Sequence, residues 1–186
     1  WPLILLPVHI VFFELMIDPT CSIVFEAEPA ESNVMQKPPR KSNEKIFNKK
    51  LLVMGLKQGT ALLAVLLAVY LAAQSAGLAE PVVRALTFTA MIVGDIWLIF
   101  INRSWSLSLY RSFQLPNPAL WWVVAGGLLM LGFALFVPFM HRLFRFETPL
   151  PEHLALTVVF VSVSLLVIAW LTGLHTNSGK APADKA

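Results

Sequence analysis

The sequence predicts an all-α fold, namely a polytopic helical bundle in a membrane with about five transmembrane helices joined by short loops. Hydrophobic residues make up 57% of the 186 residues and charged residues only 13%, with a mean hydropathy of +0.71. Soluble domains average about 45–50% apolar and about 25% charged residues. The apolar residues are also grouped in runs of roughly 17–25, the length at which a helix spans a bilayer. The lipid bilayer is therefore the first partner that the sequence predicts.

Each predicted helix corresponds to one apolar run. Turn residues such as those in Pro116-Asn117-Pro118 separate the runs, and the runs lack the polar alternation of barrel strands. We expect one transmembrane domain over residues 1–176, with residues 26–50 as a cytoplasmic loop and residues 177–186 as a disordered tail. The predicted helices lie at about residues 1–25, 51–76, 85–101, 119–140 and 153–174.

Lysine and arginine are distributed unequally between the two sides of this predicted topology. One side receives eleven of them, six from the first loop, and the other receives Arg84, Arg142 and Arg145. Because basic residues concentrate in cytoplasmic loops, we expect the C-terminus in the cytoplasm of a multi-pass protein. Without targeting signals we expect the plasma (inner) membrane. The net charge of +3 arises in these loops and implies no nucleic acid partner.

Two acidic residues, Glu14 and Asp18, lie within the first apolar run. An acid at membrane depth costs about 2.5–3.5 kcal/mol on insertion scales and marks a functional site by default. The two residues share a helix face because they are four positions apart. Pro19 lacks a backbone N–H, so it frees the carbonyl of Leu15 and predicts a break in the helix. Such an oxygen-rich group is suited to a hard cation.

A structural ion pair is the alternative interpretation of Glu14 and Asp18, but no lysine or arginine lies deep in another predicted helix. Asp95 lies near the middle of the third run, in Gly94-Asp95-Ile96-Trp97. It either adds an oxygen to the same cation site or forms a hydrogen bond between helices. The candidate metal ligands are therefore Glu14, Asp18 and Asp95.

Other polar and small residues of the runs favour structural roles. His9 points away from the face of Glu14, since five residues turn a helix by about 140° from that face, and we expect it to pack. Gly55 and Gly59 form a small-xxx-small motif, which predicts a close helix contact. Glu28 belongs to an acidic run after the first helix that we expect to be a solvated loop face.

Three parts of the sequence resemble one known family. They are the first 40 residues, the segment from Gly94 to Ser104, and Asn117-Pro118-Ala119-Leu120-Trp121-Trp122. The first part contains Leu6-Pro7-Val8-His9 and Met35-Gln36-Lys37-Pro38-Pro39-Arg40. These runs are similar to the C-terminal membrane region of cation-transporting P-type ATPases, and most similar to bacterial members related to calcium pumps.

The resemblance implies that the chain corresponds to the sixth to tenth transmembrane helices of such a pump. Glu14 and Asp18 then fall on cation-ligand positions of the sixth helix, and Asp95 lies on the eighth helix near a further ligand position. Glu14 departs from the asparagine that calcium pumps usually have at the first position. Sodium–potassium pumps carry acids at both positions of the sixth helix.

The same resemblance implies a function, the ion pathway of an ATP-driven pump for Ca²⁺ or a similar divalent cation. The parent protein would use ATP and Mg²⁺ in domains outside this sequence, which starts at Trp1. We therefore expect the N-terminal transmembrane helices and the cytoplasmic ATPase domains of a parent pump as partners, and no ATP hydrolysis by this chain alone. The alternative is a stand-alone membrane scaffold or assembly protein, or an inactive fragment without transport.

Overall fold

The computed structural model describes residues 5–28, 49–103 and 116–172. The prediction of an all-α fold is confirmed, because the regular structure within these ranges consists of helices without a strand. The predicted loop 26–50 lies outside these ranges except at its ends, and the predicted tail lies wholly outside them. The helices are α1 (Pro7–Glu26), α2 (Lys49–Ser75), α3 (Glu80–Asn102), α4 (Pro118–Phe136), α5 (Pro138–Phe144) and α6 (Pro151–Thr172).

Four of the described helices are long and apolar enough to cross a membrane. The predicted first span corresponds to α1, which is not among the four, and its side chains at positions 15–21 lie outside the description. These lengths and compositions agree with a helical membrane bundle. The four candidate spans are Leu52–Ser75, Glu80–Asn102, Pro118–Phe136 and Pro151–Leu171.

Two prolines have effects other than those predicted. The break predicted at Pro19 is wrong, since α1 continues through this residue to Glu26. A proline inside a helix removes one backbone hydrogen bond, and in α1 that loss does not end the helix. The predicted fourth span instead divides at Val137, where the backbone is extended (φ −86°, ψ 122°). Pro138 follows directly, and a proline disfavours the helical conformation of the residue before it.

The helix α3 is at the centre of the bundle, and fifteen of its 23 residues are buried. One of its faces packs against α2 and α6 through Leu86, Ala90 and Val93. The opposite face packs against α1, α4 and the segment around Phe144, and Phe88 is fully buried there. Neighbours on both faces therefore separate most of α3 from lipid.

The directions of the helices follow from contacts near their ends. The rings of Phe12 and Phe88, near the starts of α1 and α3, are 6.1 Å apart, and Glu28 and Arg103 meet where these helices finish. Hence α1 and α3 are parallel. Since Gln58 pairs with Asn102, α2 is antiparallel to α3. We call the two ends of the bundle the His9 end, where α1 and α3 begin, and the Arg103 end, where they finish.

His9 joins α1 to the segment that follows α5. Its side chain is fully buried, and its ring stacks 4.9 Å from the ring of Phe146. The Leu6 N–H donates to His9 Nδ1 at 2.9 Å, so the ring proton must be on Nε2, which contacts the Phe144 carbonyl oxygen at 2.8 Å. Neutral His9 therefore satisfies both partners, and it packs as the sequence predicts.

We expect His9→Ala to lower the free energy of unfolding by about 2–4 kcal/mol, because it leaves a cavity among three phenylalanine rings and two unpaired backbone groups. The measurement is denaturant titration of the chain in mixed micelles, followed by tryptophan fluorescence. Ile10→Ala, at an exposed neighbouring position, is the control and should change stability by less than about 0.5 kcal/mol. Equal effects of the two substitutions would contradict this role of His9.

The close helix contact predicted at Gly55 and Gly59 is not found there, and a different glycine, Gly94, lies at such a contact. No atom outside the local backbone lies within 4 Å of a Cβ built at either residue, so the predicted contact is absent from the described residues. A Cβ at Gly94 would instead overlap Cδ1 of Leu62 and touch Leu165. Gly94 therefore permits the close approach of α3 to α2 and α6.

We expect Gly94→Val to lower the free energy of unfolding by about 1–3 kcal/mol, the usual cost of overpacking. Gly59→Val places the same side chain in open space on α2 and should have little effect. The thermal stability of both variants, measured in the same detergent, tests this assignment. A larger loss for Gly59→Val than for Gly94→Val would show that the contact between α2 and its neighbours is not the one described.

Candidate functional site

Asp95 lies on the face of α3 that is directed toward α1 and α4. It follows Phe88 by seven residues and Met91 by four, and it precedes Ile99 by four. Residues at these spacings share one face of a helix. Phe88 and Met91 belong to the cluster that packs against α1 and α4, and Ile99 packs with Val24 of α1 and with α4.

Asp18 of α1 and Asp95 of α3 occur at a similar depth in the bundle. Phe12 contacts Phe88, and Pro19 and Asp95 each lie seven residues farther along their parallel helices. Since the two helices rise equally per residue, Asp95 is nearly level with Pro19. Asp18 is therefore within about one helical turn of the depth of Asp95, although its side chain lies outside the description.

The side chain of Glu14 is exposed on α1. Its neighbours Ile10 and Val11 are also exposed by 52% and 67%, because α1 packs through the face that carries Val8 and Phe12. The described residues therefore leave the Glu14 side of α1 uncovered. They contain no group of three His, Cys, Asp or Glu residues that could hold a metal ion. Glu14, Asp18 and Asp95 remain predicted ligands.

Asp95 is half-buried, and its Oδ2 atom has no hydrogen-bond partner among the described residues. The alternative interpretation, a hydrogen bond between helices, is therefore not seen for this oxygen. A buried carboxylate oxygen without a partner is costly, and a cation, a proton or a donor from outside the described residues would satisfy it.

Three polar residues meet at the Arg103 end, and the sequence analysis does not place them together. Arg103 Nε donates to Glu28 Oε2 at 2.7 Å, and Asn117 Nδ2 donates to the same oxygen at 2.8 Å. The side chains of Arg103 and Glu28 are only 1% and 15% exposed. The prediction that Glu28 is a solvated loop residue is therefore wrong. We call Glu28, Arg103 and Asn117 the three-helix cluster.

Asn117 has two further roles in the three-helix cluster. Its Nδ2 also donates to the carbonyl of Val24 at 3.1 Å, and its Oδ1 accepts from Leu120 N–H at 3.1 Å, which caps the start of α4. One side chain therefore ties the end of α1 to the start of α4. One feature of the sequence could have indicated this cluster. The residues Glu28, Arg103 and Asn117 all adjoin helix ends that are predicted on the same side of the membrane.

Two more polar pairs connect α3 to its other neighbours. The side-chain amides of Asn102 and Gln58 exchange hydrogen bonds of 3.2 Å and 2.8 Å. Trp97 Nε1 donates to Ser162 Oγ at 2.8 Å, joining α3 to α6. These pairs are on the α2 and α6 side of the bundle and are not charged, so they stabilise the packing and do not add ligands to the α1 side.

A groove of about 330 Å³ lies between α2 and α6. It is lined mainly by alanine and other apolar side chains, together with His153 and Thr157, and by Leu86 on the α2 and α6 face of α3. No acidic residue lines it. This groove is not the candidate cation site, because it has no carboxylate in its lining and lies on the side of α3 opposite to α1.

A bundle of long apolar helices with a half-buried acid, Asp95, on its central helix defines a class of polytopic membrane proteins. The family described as "Cation transporting ATPase, C-terminus" matches residues 2–174. The chain belongs to this family, and it is a multi-pass membrane protein. The resemblance to the C-terminal region of cation-transporting P-type ATPases is thereby confirmed.

One curated relative is "Calcium-transporting ATPase 1" of Yarrowia lipolytica (strain CLIB 122 / E 150). The chain is 23% identical to it over 162 residues, which cover 87% of this chain and 17% of that relative. The chain thus spans about a sixth of the length of the curated relative that it matches.

Proposed function

We propose that this chain forms the ion pathway of an ATP-driven P-type cation pump, with Glu14, Asp18 and Asp95 as ligands of the transported cation. The observation that carries the proposal is Asp95 Oδ2, a buried oxygen without a hydrogen-bond partner among the described residues. It lies on the face of α3 directed toward α1 and at about the depth of Asp18. Membership of the cation-transporting ATPase family supports the same role.

A divalent cation such as Ca²⁺ is the substrate that we propose. Carboxylate oxygens are the ligands that Ca²⁺ prefers, and it takes six to eight oxygen ligands. Three acids in one region could balance the charge of the cation, and the relative from Yarrowia lipolytica carries the name of a calcium-transporting ATPase. Bacterial origin, which the resemblance implies, is not needed for this proposal.

Further helices are proposed to complete the site on the Glu14 side of α1. This side is exposed, and an uncompensated carboxylate directed at lipid is unfavourable. The N-terminal transmembrane helices of a parent pump would cover it and supply further oxygens. The ATP and Mg²⁺ chemistry would belong to cytoplasmic domains of that parent, outside these 186 residues.

The ligand assignment predicts the behaviour of charge-neutralising variants in the full-length pump. We expect Glu14→Gln and Asp18→Asn to abolish cation-dependent phosphorylation from ATP, and Asp95→Asn to raise the cation concentration for half-maximal phosphorylation at least tenfold. Removing one of few charged ligands of a bound cation weakens both charge balance and coordination. Phosphorylation by labelled ATP at varied cation concentrations is the measurement.

Glu26→Gln is the matched control for these variants, because Glu26 is an exposed acid of the same helix and should leave the cation dependence unchanged. Wild-type cation dependence in both Glu14→Gln and Asp18→Asn would contradict the ligand assignment. Genomic sequence upstream of Trp1 tests the parent pump itself, since a start codon directly upstream would favour the stand-alone scaffold instead.

We also propose that the chain lies in the plasma membrane with its C-terminus and residues 26–50 in the cytoplasm, as the excess of basic residues there indicates. In a Cys21→Ser background, we expect Thr148→Cys to react with a membrane-impermeant maleimide on intact cells. Ser42→Cys should react only after the cells are permeabilised. The reverse pattern of labelling would overturn this orientation.

A further inference from the structure

The three-helix cluster restrains α1 where that helix finishes. Glu28 Oε2 accepts from Arg103, which directly follows α3, and from Asn117, which directly precedes α4. One carboxylate oxygen is therefore bound from the ends of two neighbouring helices. Asn117 also holds the carbonyl of Val24 in the last turns of α1. The end of α1 is thus attached to the end of α3 and to the start of α4 by directional contacts.

Directional contacts specify position in a way that apolar packing does not. Burial of Phe12 and Val24 stabilises the contact between α1 and α3, but hydrophobic attraction is non-directional. Buried ionic groups are weak sources of net stability, and their best-attested role is to specify register. Arg103, whose side chain is 1% exposed, satisfies this description because a shift of α1 would separate it from Glu28.

We infer that Glu28, Arg103 and Asn117 are positioning residues that set the height of α1 against α3 and so fix the height of its acidic segment, Glu14 to Asp18, relative to Asp95. This inference rests on the proposed function, because the alignment affects transport only if these acids bind the cation. A displacement of α1 by one residue moves its acids by about 1.5 Å along the helix axis. Oxygen ligands lie about 2.3–2.6 Å from a bound Ca²⁺, so a displacement of this size would weaken the binding of the cation.

The test uses a pair of substitutions that removes both charges of the Glu28–Arg103 ion pair together. Replacing a buried ion pair by apolar side chains is often neutral or stabilising, so Glu28→Leu combined with Arg103→Leu should still fold. In the full-length pump we expect this variant to raise the cation concentration for half-maximal ATPase activity about tenfold, within the usual range of coupling between sites. The maximal rate at saturating cation should stay close to that of the wild type.

Two variants provide the comparison. Arg103→Lys keeps a positive charge and a donor at this position. Its cation affinity should therefore lie between that of the wild type and that of the double leucine variant. Glu26→Gln removes an exposed carboxylate two residues from Glu28 and should have no effect. A role in folding alone predicts a lower unfolding temperature with unchanged cation affinity, and that result would overturn the inference.

A distance measurement separates failure of this inference from failure of the proposed function. Spin labels at Ile23→Cys on α1 and Ala79→Cys directly before α3, both exposed positions, in a Cys21→Ser background report the axial offset of the two helices in the 186-residue chain itself. We expect the double leucine variant to shift or broaden the distance distribution by at least the 1.5 Å rise of one residue. An unchanged distance distribution would overturn the positioning role, even if Glu14→Gln abolishes phosphorylation. If instead the ligand assignment is wrong and the positioning role is right, the distance shifts although Glu14→Gln and Asp18→Asn keep the cation dependence of the wild type.

Discussion

The enclosure of α3 between two sets of helices is the constraint on which the rest of the structure depends. A polar group on an enclosed helix has neither water nor headgroups to bind, so it must find a protein partner or cost several kcal/mol. Most polar side chains of α3 meet this requirement. Thr87 and Thr89 donate to carbonyls one turn earlier in their own helix. The pairs with other helices are Trp97 with Ser162, Asn102 with Gln58 and Arg103 with Glu28.

Asp95 is the acid of α3 that does not fully meet this requirement, since its Oδ2 is buried without a hydrogen bond among the described residues. Glu28 Oε1, the Tyr70 hydroxyl and His153 Nδ1 are further buried atoms of this kind elsewhere in the bundle. The surrounding pairs show that most polar side chains of α3 have protein partners. An acid with an unpartnered oxygen, on the face of α3 directed toward α1, is compatible with the ligand role that we propose for it. The same argument applies less directly to Glu14, because the described residues leave its side of α1 uncovered.

Apolar run length and loop charge were sufficient to predict the fold class and the alternating directions of the helices, because both quantities depend on the bilayer and on no particular neighbour. The candidate acids were also visible, as charges inside apolar runs. The pairing of Glu28 with Arg103 was not predicted. The two residues are 75 positions apart, and their shared side of the membrane narrows the choice of partner, but only packing selects it. The continuity of α1 through Pro19 and the open space around Gly59 likewise depend on neighbours that a local pattern does not contain.

Two polar attachments on α1 bracket the acidic segment between them. At one end neutral His9 bonds to the carbonyl of Phe144, and at the other Glu28 pairs with Arg103. Neither attachment involves Glu14 or Asp95, so the bundle specifies the position of α1 without using the predicted ligands. Because Pro19 lies between the attachments and lacks one backbone hydrogen bond, the acidic segment is the part of α1 that can bend at least cost. Fixed ends and a deformable middle are what a helix needs if its central carboxylates must gain and lose a ligand while its packing persists.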